Sequence, residues 1–127
     1  MLMSGLNTER LLMGSGCVGG MQSILDEVVP YAATRKQFGV AIGTFQLIQA
    51  KLAYIYTSLE STRSYVYTNA IAVDKKQGSN ADFASCLLHG SHLLTQCALE
   101  GMQIFGGNGY INDYPLGRIL RDAKSNE

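Results

Sequence analysis

Three long helical patterns, separated by short links, occupy most of this chain of 127 residues. The first runs from about Thr8 to Thr34, the second from about Thr44 to Lys76, and the third from about Ala81 to Phe105. In each pattern apolar residues recur at spacings of three, four and seven, as a helix with one buried face requires. Three such helices joined by short links predict an all-α fold, an antiparallel up-down helical bundle.

The spacings also predict which side chains face the core. The inward residues are Leu11, Val18, Met21, Leu25, Val28 and Ala32 on the first helix, Phe45, Ile48, Leu52, Ile55, Leu59, Val66, Ala70 and Val73 on the second, and Ala84, Leu87, Leu88, Ser91, Leu94, Thr95, Ala98 and Met102 on the third. The first helix also carries four glycines, at positions 14, 16, 19 and 20. Each costs a helix about 1 kcal/mol relative to alanine. We therefore expect another helix or a ligand to approach closely there.

Several residues are typical of helix starts and interruptions. Asn7 or Thr8 is suited to cap the first helix, and Thr44 is suited to cap the second. Pro30 lies well inside the first pattern, and it predicts a kink or a break near Val29 because proline cannot donate the helical hydrogen bond.

The later links contain further signals of the same kind. Gly78 is predicted to stop the second helix, with Ser79 or Asn80 as the cap of the third. A short fourth helix is expected to begin near Pro115 and to run to about Lys124. No strand-turn-strand unit is predicted anywhere in the chain.

Composition restricts the class of function. Apolar residues make up 46% of the chain, which is typical of a globular domain. Ten basic and ten acidic residues cancel, and no basic patch stands out, which argues against nucleic acid as a partner. No stretch approaches the ~20 apolar residues of a membrane span.

The cysteines and histidines do not form a metal-binding pattern. Cys17, Cys86 and Cys97 include no CxxC pair, and they are interpreted as free buried thiols in a reducing compartment. His89 and His92 have helical i, i+3 spacing, but no further His or Cys is placed to complete a site, so we expect no bound metal.

Two segments contain residues suited to binding a polar ligand. Gln103–Tyr110 contains three glycines within four positions; taken alone, it favours a helix stop at Gly106 followed by a turn. Arg35–Gly39 offers a guanidinium, an amide and an aromatic ring that suit a phosphate, but by spacing alone it favours an ordinary helix C-terminus. Glu9 is interpreted either as a general base or as a surface residue at the positive end of the helix dipole.

The order of five segments resembles one known family. These are Met3–Arg10 (Met-Ser-Gly-Leu-Asn-Thr-Glu-Arg), Arg35–Gly39 (Arg-Lys-Gln-Phe-Gly), Phe45–Gln46, Gln103–Tyr110 (Gln-Ile-Phe-Gly-Gly-Asn-Gly-Tyr) and Arg121–Lys124 (Arg-Asp-Ala-Lys). Together they resemble the C-terminal helical domain of the acyl-CoA dehydrogenases over essentially the whole chain. Within that family the resemblance is closest to the isovaleryl-CoA type.

The resemblance implies an FAD-dependent enzyme that oxidises a short branched acyl-CoA, such as isovaleryl-CoA in leucine catabolism, to the 2,3-enoyl-CoA. A carboxylate removes the pro-R α-proton while the β-hydride moves to flavin N5, and the electrons then pass to electron-transferring flavoprotein. It further implies a homo-oligomer, a dimer of dimers, located in the mitochondrial matrix of a eukaryote and otherwise in the cytoplasm.

The resemblance also assigns roles to particular residues. Glu9 matches the catalytic base of the isovaleryl type, and Asn7 and Arg10 match positions that contact the substrate. Asn7 stands where the family pattern has Asp, and Thr8 where it has Leu, which leaves the shape of the acyl pocket open. The positions that match contacts to the FAD of a neighbouring subunit are Arg35, Gln37, Phe38, Gln46, Gln103, Ile104, Gly106 and Gly107.

The domain prediction is that residues 1–127 form one C-terminal helical bundle domain that lacks its last helix. We expect the N-terminal helical domain and the middle β-domain of the family to be necessary for activity, so that this polypeptide alone is inactive. Two alternatives remain. One is a non-catalytic helical oligomerisation module, and the other is a related dehydrogenase whose base lies in a loop after Glu127.

Overall fold

The computed structural model describes the backbone of residues 2–127 and the side chains of residues 5, 6 and 8–127. This part of the chain is almost entirely helical, as predicted. Its elements, in chain order, are α1 (Leu2–Thr34), β1 (Lys36–Gln37), β2 (Val40–Ala41), a 3-10 turn (Ile42–Thr44), α2 (Gln46–Asp74), α3 (Asn80–Phe105), α4 (Gly107–Tyr110) and α5 (Leu116–Asn126).

The three long helices pack on one another and form the up-down bundle that the sequence predicts. Cys86 of α3 lies beside Gly14 of α1, and further along the same helices Leu94 lies beside Gly20, so α1 and α3 run in the same direction. Helix α2 runs in the opposite direction to α1 and α3 and packs against both of them. Helix α5 packs across α3 and α1. The core therefore lies among α1, α2 and α3, and α5 covers one end of it.

The predicted core faces are largely confirmed. Buried apolar side chains include Met21, Ile24 and Val28 on α1, Ile55 and Leu59 on α2, and Cys97 and Ala98 on α3. Ala84, Leu88 and Val73 are exposed, contrary to prediction. Ala84 and Leu88 lie at the edge of the buried stripe of α3, and Val73 lies in the last turn of α2.

The glycines of α1 divide into two groups. A Cβ on Gly20 would lie 2.8 Å from Cδ1 of Leu94, and one on Gly14 would lie 3.4 Å from Sγ of Cys86. These two glycines allow α3 to approach, as expected, whereas Gly16 and Gly19 face open space.

The predicted starts of α1 and α2 are wrong. Helix α1 begins at Leu2, so Asn7 and Thr8 lie inside the helix and do not cap it, and Glu9 is not in its first turn. Phe45 occupies the N-cap position of α2 without a side-chain hydrogen bond, because Thr44 belongs to the preceding 3-10 turn. The hydroxyl of Thr44 instead donates to the carbonyl of Ala41 at 2.7 Å.

Helix α2 ends at Asp74, two residues before the predicted end at about Lys76, and Lys76 rather than Gly78 is the residue that stops it. Lys76 adopts a left-handed conformation with φ 57°, and the N–H of Gln77 donates back to the carbonyl of Ala72 at 2.8 Å. This six-to-one bond closes the helix in the manner usually associated with glycine. The cap of α3 is confirmed: the hydroxyl of Ser79 accepts from the N–H of Asp82.

Pro30 does not break α1, which continues to Thr34. Val28 and Ala32 on either side of it are buried, so tertiary packing holds the helix together there. The prediction that no strand-turn-strand unit exists is also wrong. Strands β1 and β2 form a short antiparallel hairpin in which Lys36 pairs with Ala41 and Gln37 pairs with Val40.

Candidate functional site

An open cleft of about 440 Å³ lies where the end of α1, the hairpin, the start of α2 and the α3–α4 junction meet. It is lined by Tyr31, Arg35, Gln37, Phe38, Ile42, Phe45, Ile48, Ile104, Phe105, Gly106, Gly107 and Asn108. The fold thus brings together six of the eight predicted cofactor residues from segments about 70 residues apart. Its volume lies within the roughly 300–1,000 Å³ of small-molecule pockets.

Arg35 supplies the charge of the cleft. Its backbone is fixed at both ends: its N–H donates to the carbonyl of Tyr31 at 2.8 Å, and its carbonyl accepts from Ile42 at 2.9 Å. Among the described side chains no carboxylate pairs with its guanidinium, and no other charged residue lines the cleft. An unpaired guanidinium carried on a fixed stretch of backbone is suited to bind a phosphate bidentately.

Phe38 forms the tip of the hairpin in an unusual conformation. Its φ is 54°, a left-handed value that non-glycine residues adopt only at a cost, and its side chain is 94% exposed. The ring lies edge-on to Phe45, with centroids 6.3 Å apart. An exposed aromatic ring beside an unpaired cation offers a surface for a planar, anionic ligand.

The glycine-rich turn contributes backbone rather than side chains. Gly106 ends α3 with φ 59°, so the predicted helix stop is confirmed. A Cβ added to Gly106 or Gly107 would meet nothing within 4 Å, so this stretch of backbone faces open space. Gly109 faces the opposite way, and its added Cβ would lie 2.6 Å from the carbonyl oxygen of Met102.

Six of the residues that line the cleft were not among the predicted cofactor contacts, namely Tyr31, Ile42, Phe45, Ile48, Phe105 and Asn108. The ring of Tyr31 stacks on that of Phe105, with centroids 3.8 Å apart and planes 13° apart. The side-chain amide of Asn108 donates to the Tyr31 hydroxyl at 2.9 Å. Helical spacing alone contained a signal for Tyr31, because it lies one turn before Arg35.

Gln46 and Gln103 border the cleft without lining it. Gln46 is the first residue of α2, and its side chain is exposed. Gln103 lies in the last turn of α3, where its carbonyl accepts from the N–H of Gly106 at 3.2 Å. Their predicted role in cofactor binding remains a prediction.

The predicted catalytic and substrate residues lie at the other end of α1. Glu9 is exposed and Arg10 is half-buried, and the side chain of Asn7 lies outside the part that the structure describes. Glu9 precedes Thr34 by 25 residues, which at 1.5 Å per residue is about 37 Å along the helix axis. Within one chain, therefore, Glu9 does not reach the cleft around Arg35.

The fold and these segments define the C-terminal domain of a known enzyme family. Residues 1–127 match the family described as "Acyl-CoA dehydrogenase, C-terminal domain". The chain belongs to the acyl-CoA dehydrogenase family, whose members are FAD-dependent flavoprotein oxidoreductases.

Two curated relatives and one solved structure illustrate the similarity. Mitochondrial isovaleryl-CoA dehydrogenase from Pongo abelii is 51% identical over 123 residues, which is 97% of this chain and 29% of that protein. Mitochondrial 2-methylacyl-CoA dehydrogenase from Solanum tuberosum is 52% identical over 126 residues, 99% of this chain and 31% of that protein. Butyryl-CoA dehydrogenase from Megasphaera elsdenii superposes with a TM-score of 0.94 at 32% identity, over 98% of this chain and 32% of that one.

The chain therefore spans about a third of the length of the proteins it matches. None of the helices in the described residues combines the length and the apolar character needed to cross a bilayer.

Proposed function

We propose that this chain is the C-terminal domain of an FAD-dependent dehydrogenase that converts a short branched acyl-CoA into the 2,3-enoyl-CoA. In this proposal the cleft around Arg35 holds the adenosine diphosphate portion of FAD that is bound mainly by a neighbouring subunit. Glu9 serves a different active site, that of its own subunit.

The chemistry of the cleft supports this role. The Arg35 guanidinium has no partner among the described side chains and is available to a pyrophosphate. Phe38 presents an exposed ring to a planar base, and Gly106 and Gly107 present bare backbone. The N–H of Gly106 is engaged by the Gln103 carbonyl, so the backbone at Gly107 is the part that a phosphate can approach closely, since no side chain stands in front of it.

The observation that carries the proposal is the separation of Glu9 from the cleft by nearly the whole length of α1. One chain cannot bring both groups to a single flavin. In a homo-oligomer, the cleft of one subunit can contribute to the active site of its neighbour. Each active site then combines Glu9 of one subunit with Arg35 of the other. A dimer of dimers is consistent with that requirement.

The proposed reaction needs a base that is rigidly aimed. Glu9 lies on a continuous helix, so its carboxylate has a fixed origin relative to the bundle. It would remove the α-proton of the thioester, which becomes more acidic when the developing enolate accepts hydrogen bonds in a site without water. FAD, when bound, supplies the acceptor for the β-hydride, and we propose electron-transferring flavoprotein as the next acceptor.

The similar proteins favour a branched acyl-CoA as substrate, but sequence identity does not distinguish isovaleryl-CoA from a 2-methylacyl-CoA. The identities to an isovaleryl-CoA dehydrogenase and a 2-methylacyl-CoA dehydrogenase are 51% and 52%. We propose isovaleryl-CoA, and hence leucine catabolism, with a mitochondrial location in a eukaryote. The 2-methylacyl substrate is the second candidate.

The test is a turnover panel on the full-length protein with isovaleryl-CoA, 2-methylbutyryl-CoA and butyryl-CoA. The proposal expects the highest kcat/KM with isovaleryl-CoA. Glu9→Gln should abolish turnover, and the matched control Glu27→Gln, an exposed glutamate on the same helix, should leave it unchanged. Near-normal turnover of Glu9→Gln would place the base elsewhere.

A further inference from the structure

Tyr31 holds both ends of the segment that carries Gly106 and Gly107. Its hydroxyl donates to the carbonyl of Phe105 at 3.4 Å and accepts from the amide of Asn108 at 2.9 Å. Phe105 and Asn108 are the residues immediately before and after the two glycines. One side chain on α1 thus fixes the position of a turn that lies 74 to 77 residues later in the chain.

The ring of Tyr31 strengthens this attachment. It stacks on Phe105, and Tyr114 meets both rings edge-on, with centroids 6.1 Å from Tyr31 and 5.2 Å from Phe105. Such ring contacts add to the stability that burial alone provides. The aromatic group remains when the hydroxyl is removed, so the two contributions are separable by mutation.

The arrangement matters because the backbone hydrogen bonds of Gly106, to Gln103 and Gly109, are supplemented by no side chain on either glycine. Gly106 and Gly107 have no side-chain contacts of their own to hold them. A binding site gains affinity when its donors are held in the bound geometry beforehand, since the ligand then does not have to order them. Tyr31 and Asn108 supply that ordering from outside the turn.

We propose that Tyr31 is a positioning residue for the cofactor cleft, acting through its hydroxyl on Asn108 and on the Phe105 carbonyl to fix the Gly106–Gly107 backbone for the phosphates of FAD. This inference rests on the proposed function of the cleft. It assigns Tyr31 a role in affinity for the cofactor rather than in the chemical step.

The test compares FAD binding by the deflavinated full-length protein and its variants Tyr31→Phe, Asn108→Ala and the double variant, followed by flavin fluorescence. Asn108→Ala removes one hydrogen bond and Tyr31→Phe removes two. Each single variant should raise the Kd for FAD by about fivefold to tenfold. The Kd of the double variant should be about equal to that of the single variant with the higher Kd, because both changes disrupt the same contact. At saturating FAD, kcat should remain that of the wild type.

Tyr65→Phe is the matched control, since it removes an exposed hydroxyl that contacts Ser85 of α3, away from the cleft. It should leave the Kd unchanged. Wild-type affinity in Tyr31→Phe and Asn108→Ala, or fully additive losses in the double variant, would overturn the assignment. A wild-type protein that binds no FAD would instead overturn the proposed function itself.

Discussion

A Cβ added to Gly109 would lie 2.6 Å from the carbonyl oxygen of Met102, so the turn after α3 is folded directly against the helix it follows. Gly107, two residues earlier, faces open space. The two glycines thus have different reasons to be glycine: one permits packing inside the protein, and the other leaves backbone accessible to a ligand.

This difference predicts opposite effects of the same substitution. Gly109→Ala should lower the stability of the FAD-free protein by about 1–3 kcal/mol, because backbone must move to accommodate the methyl group. Gly107→Ala should leave that stability within about 1 kcal/mol of the wild type and weaken FAD binding about tenfold. Thermal unfolding and FAD titration measure the two effects, and equal behaviour of the two variants would contradict this division.

Substitution of Phe38 by glycine is expected to lower the affinity for FAD without lowering the stability of the protein. The left-handed backbone of Phe38 costs about 1–2 kcal/mol for a residue with a Cβ. Phe38→Gly relieves that strain, so the thermal midpoint of the FAD-free protein should not fall even though an aromatic contact is lost. FAD affinity should fall by about twofold to tenfold through loss of the ring.

Phe38→Tyr provides the control for that experiment, because it keeps the ring and the strained backbone. Its affinity for FAD should stay close to that of the wild type. If Phe38→Gly bound FAD as well as Phe38→Tyr, the ring would have no part in the site.

Removal of the Ser79 cap is expected to destabilise only the first turn of α3. Ser79 accepts from the N–H of Asp82 at 3.2 Å, and its own N–H donates to the Asp82 carboxylate at 3.2 Å. Ser79→Ala should weaken the first turn by about 1 kcal/mol and speed its amide hydrogen exchange about fivefold. Ser64→Ala, a mid-helix serine of α2, should leave that turn unaffected, and equal protection of the turn in both variants would argue against the cap.

The buried thiols predict a dependence of chemical modification on pH. Burial raises the pKa of all three cysteines, and that of Cys97 from 9.0 to about 11. Since the thiolate is the nucleophile, alkylation of native Cys97 should be slow and should keep accelerating as the pH rises from 9.0 towards about 11. Mass spectrometry after brief iodoacetamide treatment follows each site, and a rate that levels off near 9.0 would show that the thiol is not shielded.

The sequence predicted the bundle because apolar spacing in α1, α2 and α3 is long and regular. It failed where a local rule competed with tertiary packing. Pro30 was expected to interrupt α1, but buried Val28 and Ala32 hold the helix on both sides. Lys76 ends α2 in a left-handed conformation that glycine usually adopts, so the predicted stop at Gly78 came two residues late.

The candidate site was only partly accessible to the same reasoning. Arg35 and the glycines stand out as motifs, and the fold does bring them to one cleft. The contacts of Tyr31 with Phe105 and Asn108 cross more than 70 residues, and nothing in the local sequence indicates such a pairing. The hairpin was missed because strands of two residues carry no periodic signal.

The central claim is that Glu9 and Arg35 of one chain serve two different active sites. The most direct measurement is turnover, after removal of free FAD, by full-length oligomers that combine Glu9→Gln subunits with Arg35→Ala subunits, purified through two different tags. If sites are shared between subunits, each mixed dimer regains one intact site, with Glu9 from one chain and Arg35 from the other. It should then recover about half of the wild-type turnover, although each variant alone is impaired. Mixed oligomers no more active than the two parent variants would place Glu9 and Arg35 in the same site and contradict the account.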